Sequence, residues 1–373
     1  MFLSQLPAHV AEQRQTLRRQ ILHVTPESFE PLALRVFQYQ AVHSPVYRQY
    51  LHYLNVAPDQ INDLRRVPFM PIGFFKKHPI LTGFKGADEP ALLTFSSSGT
   101  TSRNAGPQTT SRHRVPDPEL YDAISTRIFE ATYGPLQNLP ILALLPSYLE
   151  RNNSSLVYMV QRFMDRSGSA DSGFFLNDYD ALTNRLRQLC TDEPTRKILL
   201  IGVTFGLLDW AESGRDLTFL GQNPNLIVME TGGMKGRRKE LLREEVHALL
   251  TNKLGVAAIH SEYGMTELLS QAYSMGEGVF RPSPTLRVFL RDINDPFLLY
   301  SGESTPGATL AGARLTGERR TGGINVVDLA NLDSCAFVET QDLGQHVGAN
   351  GDFRVIGRFD NSDVRGCNLL VLS

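Results

Sequence analysis

From Leu120 onward the sequence alternates between two hydrophobic periods, and this constrains the fold more than any other feature. Residues 118–133 carry apolar side chains at helical spacing, and Ile141 to Leu145 is then an unbroken apolar run of strand length. A helix beginning at Ser154 and another from Asp178 to Cys190 follow, and the next apolar runs, residues 197–203 and 226–230, read as strands buried on both faces. Residues 237–251 place Leu241, Leu242, Val246, Leu249 and Leu250 on one side of a charged helix, ahead of a short strand at Ala257 to His260. Strands separated by helices predict an α/β fold with a mostly parallel sheet flanked by helices.

On either side the texture differs. Residues 28–54 have helical periodicity, whereas VPFMPIGFFKKHPI is broken by prolines and cannot be one continuous helix. After Arg281, short β-like runs such as TGGINVVDLANL, SCAFVET and DFRVIGRF are separated by Gly, Pro and Asp, which predicts a smaller β-rich part with antiparallel strands. With 373 residues, 42% of them hydrophobic, the chain can bury a large core without disulfides or metals. The net charge of -2 and scattered basic residues argue against a nucleic-acid partner. No basic-then-apolar leader opens the sequence and no apolar run is long enough to cross a bilayer, so the expectation is a cytoplasmic protein without a membrane span. Cys190, Cys335 and Cys367 are too few and too far apart for a disulfide framework or a zinc spacing.

Two short runs carry chemistry. Ser96-Ser97-Ser98-Gly99-Thr100-Thr101 follows an apolar segment; hydroxyls and backbone N–H groups in such a loop can converge on a phosphate tail, and the same composition also makes an ordinary flexible loop. It lacks the lysine of GxxxxGK[ST], and GxGxxG is absent from the chain. His260-Ser261-Glu262-Tyr263-Gly264-Met265-Thr266-Glu267 reads as the end of a strand leading into a helix, where an aromatic ring can face a base, a hydroxyl a phosphate and a carboxylate Mg²⁺. The alternative is a helix N-terminus with an acid favoured by the helix dipole.

Taken in order, these runs resemble the adenylate-forming enzymes, a superfamily that includes acyl-CoA synthetases, luciferases and nonribosomal adenylation domains. Ser96 to Thr101 is similar to their phosphate loop, and Tyr263-Gly264-Met265-Thr266-Glu267 to their YGxTE motif. Thr231-Gly232-Gly233-Met234-Lys235-Gly236 resembles the glycine loop that lines the adenine, Asp342 in ETQDLG the aspartate that holds the ribose, and Gly357-Arg358-Phe359-Asp360-Asn361 the hinge whose arginine reaches the nucleotide. VPFMPIGFFK, LLPSYLERNNSSLVYMV, ETGGMKGRRKEL, SEYGMTELLSQAY and GRFDNSDVRGCNLLVLS narrow the resemblance to the acyl-protein synthetases of bacterial luminescence fatty-acid reductase complexes.

The resemblance implies an N-terminal helical and Pro-rich cap over residues 1–90, an α/β nucleotide-binding core over 91–280 and a β-rich subdomain over 281–356. Residues 357–373 form a hinge and tail carrying Cys367, with the family's C-terminal domain largely absent. It implies ATP and Mg²⁺ as cofactors, a long-chain fatty or other carboxylic acid as substrate, and an acyl reductase and an acyltransferase as protein partners. Ser96 to Thr101 would take the β- and γ-phosphates, Thr266 the α-phosphate, Glu267 Mg²⁺, Tyr263 and Gly264 with Gly232, Gly233 and Met234 the adenine, and Asp342 the ribose. Cys367, beside Arg365, would accept the acyl group as a thioester; its bland alternative is a small hydrophobe in a terminal strand. The sequence departs from the superfamily in lacking the lysine that follows the hinge and in carrying Ser102-Arg103-Asn104 after the phosphate loop, which leaves Arg103, Lys235 and Arg358 as the cations for adenylation. An acyl- or aryl-CoA ligase and a non-catalytic nucleotide-binding protein are the alternative readings.

Overall fold

The computed structural model describes residues 6–84, 93–97, 110–146, 153–232, 241–300, 321–348 and 350–359. Helices α1 (Ala8–Leu22), α2 (Pro26–His43) and α3 (Pro45–Tyr53) come first. Proline is tolerated in the first turn of α2 and α3 because its missing N–H has no helical partner there, so the periodicity of residues 28–54 resolves into two helices divided at Pro45. The proline-rich stretch gives a two-residue strand, β1 (Met70–Pro71), and one helical turn, α4 (Phe74–Lys77), in place of a continuous helix. A hairpin of β2 (Leu93–Ser96) and β3 (Arg112–Val115) follows.

The alternating region contains α5 (Pro118–Tyr133), β4 (Ile141–Leu144), α6 (Ser155–Ser167), β5 (Gly173–Phe174), α7 (Tyr179–Asp192), β6 (Ile198–Gly202), α8 (Thr204–Ala211), β7 (Leu226–Glu230), α9 (Arg243–Leu254) and β8 (His260–Tyr263). Asp117 and Ser154 cap α5 and α6 by accepting from Leu120 N and Val157 N. Two details differ from the sequence pattern. Leu242 precedes α9 and is exposed, its N–H donating to Glu245 Oε2, so only Val246 and Leu250 of the expected stripe are fully buried. β8 starts at His260, where the pattern ends its strand. The remaining strands are β9 (Ala272–Ser274), β10 (Arg281–Pro282), β11 (Leu286–Arg291), β12 (Leu299–Tyr300), β13 (Thr321–Asp328), β14 (Phe337–Val347) and β15 (Asp352–Arg358).

They build two large sheets. One has the order β10-β9-β8-β7-β6-β4-β5 and is parallel from β5 to β8, with β9 and β10 antiparallel at its edge. The other has the order β1-β14-β13-β11-β12 with β15 also on β14, and is antiparallel apart from β1. The fold is therefore α/β, with the mostly parallel sheet that the alternation predicts and a mainly antiparallel sheet built largely from residues after Arg281.

Strand alternation explains the apolar runs. Ile141, Ala143, Leu199, Ile201, Ile227 and Met229 point to a core shared with the N-terminal helices, α5, α6 and the antiparallel sheet. Leu142, Leu144, Ile198, Leu200, Leu226 and Val228 point to a second core under α7, α8 and α9. Truncating a fully buried member such as Leu200 to alanine costs about 2–5 kcal/mol. A buried ion network locks the layers where the site lies: Arg14 binds Asp333 through Nε and Nη2, both at 2.6 Å, and Asp117 through Nη2 at 2.8 Å. No helix among the described residues is long and apolar enough to cross a membrane.

Candidate active site

The site begins with a cross-strand pair. The β14/β15 register sets Asp342 opposite Arg358, whose Nε donates to Asp342 Oδ1 at 2.9 Å. Tyr263, the last residue of β8, donates its hydroxyl to Asp342 Oδ2 at 3.0 Å. Burial, with Asp342 adding to it, raises the Tyr263 phenol well above its ordinary value, so it keeps its proton and remains a donor. The Tyr263 ring packs edge-on against Phe353 and lies near Phe280. The register shift beside this pair falls at Gly344, where a Cβ would lie 2.7 Å from Ile324 Cδ1 and 2.8 Å from the Arg354 carbonyl oxygen, so only glycine fits. Arg291, buried and unannounced by any motif, holds the Ile324 and Thr340 carbonyls and lies under the Phe359 ring next to Arg358.

Thr266 and Glu267 sit on the segment between β8 and β9. The helix expected after this motif is absent: residues 264–271 hold a turn at Thr266-Glu267, a bend at Leu269 and otherwise no regular structure. Backbone groups that a helix would pair internally are taken by other parts of the chain. Asp328 Oδ2 accepts from Leu269 N at 2.7 Å and Ser270 N at 3.0 Å, Asn331 Nδ2 donates to the Glu267 carbonyl at 2.8 Å, and His113 Nδ1 bonds the Thr266 carbonyl at 2.9 Å. With no helix there, the dipole reading of Glu267 falls away. A carbonyl only accepts, so His113 carries its proton on Nδ1 and takes the Ser334 hydroxyl on Nε2 at 3.0 Å. Burial drops its pKa to about 4 and keeps the ring neutral. His113 is thus a satisfied core histidine and also the strut that holds Thr266.

Glu267 is buried, which pushes its carboxyl above the usual range; the Ser111 hydroxyl bonded to it acts in the opposite direction. Ser111 belongs to the base of the β2/β3 hairpin, where Ser97 N donates to the Ser111 carbonyl and Ser111 N to Ser97 Oγ. Ser96 N donates to the Asn153 carbonyl at 2.7 Å. The structure thus brings Ser96 and Ser97 to the same end of the molecule as Glu267.

At the end of β7, Thr231 is buried, and among the described residues its hydroxyl has no partner and nothing lies within 4 Å of a Cβ built on Gly232. Glu230, just before them, receives the Thr204 hydroxyl at 2.6 Å and has His247 Nε2 at 3.6 Å and Arg243 Nε at 3.7 Å. Burial opposes its ionisation, but His247, Arg243, Ser261 and Thr204 prevail and hold its pKa at about 2. Ser98, Gly99, Thr100, Thr101, Arg103, Gly233, Met234, Lys235 and Cys367 lie outside the described residues. Cys190 and Cys335 are buried core cysteines, and burial pushes the Cys335 thiol up to about 12, which leaves it inert.

These groups suit a nucleotide. Among the described residues the Thr231 hydroxyl has no partner, and Arg358, paired with Asp342 through Nε, keeps a largely exposed side chain that can donate further hydrogen bonds. No cluster of three metal-ligating side chains exists among the described residues. A separate groove of about 1640 Å³ runs past Phe29, Thr132, His247, Tyr273 and Arg287, and none of Tyr263, Thr266, Glu267, Asp342 and Arg358 lines it.

No protein-family model and no curated protein matches the sequence. Solved structures do. The open conformation of 2-hydroxyisobutyryl-CoA ligase, in complex with 2-HIB-AMP and CoA, matches with a TM-score of 0.60 at 13% identity over 88% of this chain and 73% of that one. The same ligase in its thioesterification state matches with a TM-score of 0.57 at 15% identity over 95% of this chain and 69% of that one. The chain has the fold of these adenylate-forming ligases.

Proposed function

We propose that the protein activates a carboxylic acid with ATP as an acyl-adenylate and hands the acyl group to a thiol. The observation that carries the reading is the convergence of Tyr263, Asp342 and Arg358 from two sheets beside the braced Thr266-Glu267 turn. The fold shared with a ligase described with an acyl-AMP and CoA supports it.

A carboxylate is a poor electrophile, and joining it to AMP supplies a leaving group. In the first step a carboxylate oxygen bonds to the α-phosphorus of ATP and pyrophosphate departs. Asp342 would hold the ribose hydroxyls, with Arg358 fixing its carboxylate; Tyr263 and Gly264, with Gly232, Gly233 and Met234, would border the adenine. Thr266 would hold an α-phosphate oxygen and the Ser96 to Thr101 loop the outer phosphates. Mg²⁺, when bound at Glu267, neutralises charge on the phosphates. The protein's contribution is positioning and charge stabilisation.

In the second step a thiolate attacks the acyl carbon and AMP leaves. The sequence resemblance supports Cys367 as that thiol, a fatty acid as substrate and an acyl reductase as the partner that receives the product. A second reading, in which coenzyme A is the thiol, is favoured by the CoA bound in the ligase that shares the fold. Incubation with ATP, Mg²⁺ and radiolabelled acids, followed by denaturing electrophoresis of wild type and Cys367→Ala, separates the two. Label that stays on wild type, leaves with hydroxylamine and is missing from the variant supports the acyl-cysteine. Acyl-CoA formed equally by both proteins once coenzyme A is added, with neither protein labelled, replaces it with the CoA ligase.

A further inference from the structure

The stretch VPFMPIGFFK folds into β1 and α4, and the proposed reaction gives it no task. Both elements are fastened to the site. Met70 and Pro71 pair with Val338 and Glu339 of β14, the strand that carries Asp342, and Ile72 N donates to the Glu339 carbonyl at 2.9 Å. α4 then packs on β3, where the Phe75 ring meets the His113 ring edge-on with centroids 5.4 Å apart. Along this part of the hairpin Ser111 and His113 are buried and Arg112 between them is exposed. Both buried side chains hold the Thr266-Glu267 turn, Ser111 by its hydroxyl on Glu267 and His113 by its bond to the Thr266 carbonyl. Phe75 therefore sets its neighbour Lys76 beside that turn.

Lys76 is exposed, and among the described residues its ammonium makes no hydrogen bond and no ion pair. Burial raises the Glu267 pKa while Ser111 and, after it, Arg358 and Lys76 pull it down, so both cations lie within electrostatic reach of that carboxyl. Other described cations nearby are committed: Arg358 is tied to Asp342 through Nε, Arg14 and Arg18 are bound to Asp117, and Arg112 faces the other side of the hairpin. Acid activation needs positive charge where Lys76 stands. As a carboxylate oxygen bonds to the α-phosphorus, the bond from that phosphorus to the bridging oxygen breaks and the oxygen keeps the electron pair; no proton moves. Charge collects on the departing pyrophosphate, and the β2/β3 hairpin on which α4 packs is the one whose Ser96 to Thr101 loop would hold the outer phosphates. An ammonium on a flexible four-carbon stem is a point charge that can follow such a group.

We propose, resting on the acid-activation reading, that Lys76 is a catalytic residue whose ammonium binds the β- and γ-phosphates of ATP and stabilises pyrophosphate as it leaves. Calorimetric titration of the full chain with AMP, and with ATP and Mg²⁺, tests this in wild type, Lys76→Met, Lys76→Arg and Lys77→Met. Lys76→Met should weaken ATP binding at least about ten-fold, as the loss of one charge-assisted contact does, and leave AMP binding unchanged, since AMP lacks the outer phosphates. Lys76→Arg keeps the charge and should recover part of the loss, and Lys77→Met should match wild type. In ATP–pyrophosphate exchange Lys76→Met should lower kcat about a hundred-fold or more. Equal weakening toward AMP and ATP marks a structural role and overturns the proposal, as does a Lys76→Met protein that binds ATP and exchanges pyrophosphate like wild type; in both cases exchange by wild type keeps acid activation standing. A wild type that exchanges label with no acid overturns acid activation and the role of Lys76 with it.

Discussion

The Tyr263 hydroxyl and Asp342 Oδ2 lie 3.0 Å apart although they come from different sheets, β8 of the parallel one and β14 of the antiparallel one. The bond fixes the position of Asp342 and leaves Arg358, mostly exposed, as its partner on the open side. With Arg358 open to solvent and Asp342 buried, the ion pair contributes modestly to stability, and its value lies in orienting the carboxylate. Asp342→Asn should therefore shift the melting temperature only slightly while weakening ATP binding at least about ten-fold, roughly 1.4 kcal/mol, by calorimetric titration.

His113 should matter for folding. Replacing it with alanine strips the Thr266 carbonyl and the Ser334 hydroxyl of their partner in a buried place, a loss of about 2–4 kcal/mol in urea unfolding. Its folded pKa of about 4 lies below the ordinary value near 6.5, so below that value the unfolded chain takes up a proton that the native state refuses. Its contribution is intact above about pH 6.5 and declines as pH falls toward 4. Between pH 7 and pH 5 wild type should lose about 2 kcal/mol that His113→Gln does not lose.

What the sequence makes legible follows from the range of the forces involved. The apolar runs that became β4, β6 and β7 announce themselves because both of their faces are buried, and Pro118 and Gly134 punctuate α5 locally. The segment Thr266-Glu267-Leu268-Leu269 misleads for a related reason. Its local pattern suits a helix, but Asp328, Asn331 and His113, distant in sequence, capture its backbone groups. Asp342 and Arg358 are visible as motif residues, whereas the register that sets them opposite each other is a tertiary fact. Glu262 sits inside a motif and passes unnoticed there, since only the fold shows what faces it.

Glu262 should give the opposite pH response. Its folded pKa near 8 lies above the ordinary carboxylate range, so between about pH 4.5 and pH 8 the native state holds a proton that the unfolded chain has released. Stability from this group therefore falls as pH rises through that window. Glu262→Gln should exceed wild type in stability at pH 8 by on the order of 1–2 kcal/mol, reduced from the full linkage value by its partial exposure. The difference should vanish near pH 4.5 in paired urea titrations.

Arg14 should be among the costliest single positions. It is 2% exposed and bridges Asp117 at the cap of α5 to Asp333 beside Ser334. Arg14→Ala strands the buried Asp333 carboxylate, while Asp117 keeps Arg18 at 2.7 Å, and should cost about 3–5 kcal/mol, whereas Arg14→Ala with Asp333→Asn should recover part of that loss. Chemical denaturation of the two variants measures the difference.

The central claim is that this site joins a carboxylic acid to AMP, and acid-dependent exchange of labelled pyrophosphate into ATP tests it most directly. Wild type should exchange label only when a suitable acid is present, and Glu267→Gln should reduce that rate by about a hundred-fold or more while remaining folded. A wild-type protein that binds ATP yet exchanges no label with any plain, hydroxy- or amino-substituted acid would contradict the account and mark a nucleotide-binding protein without this chemistry.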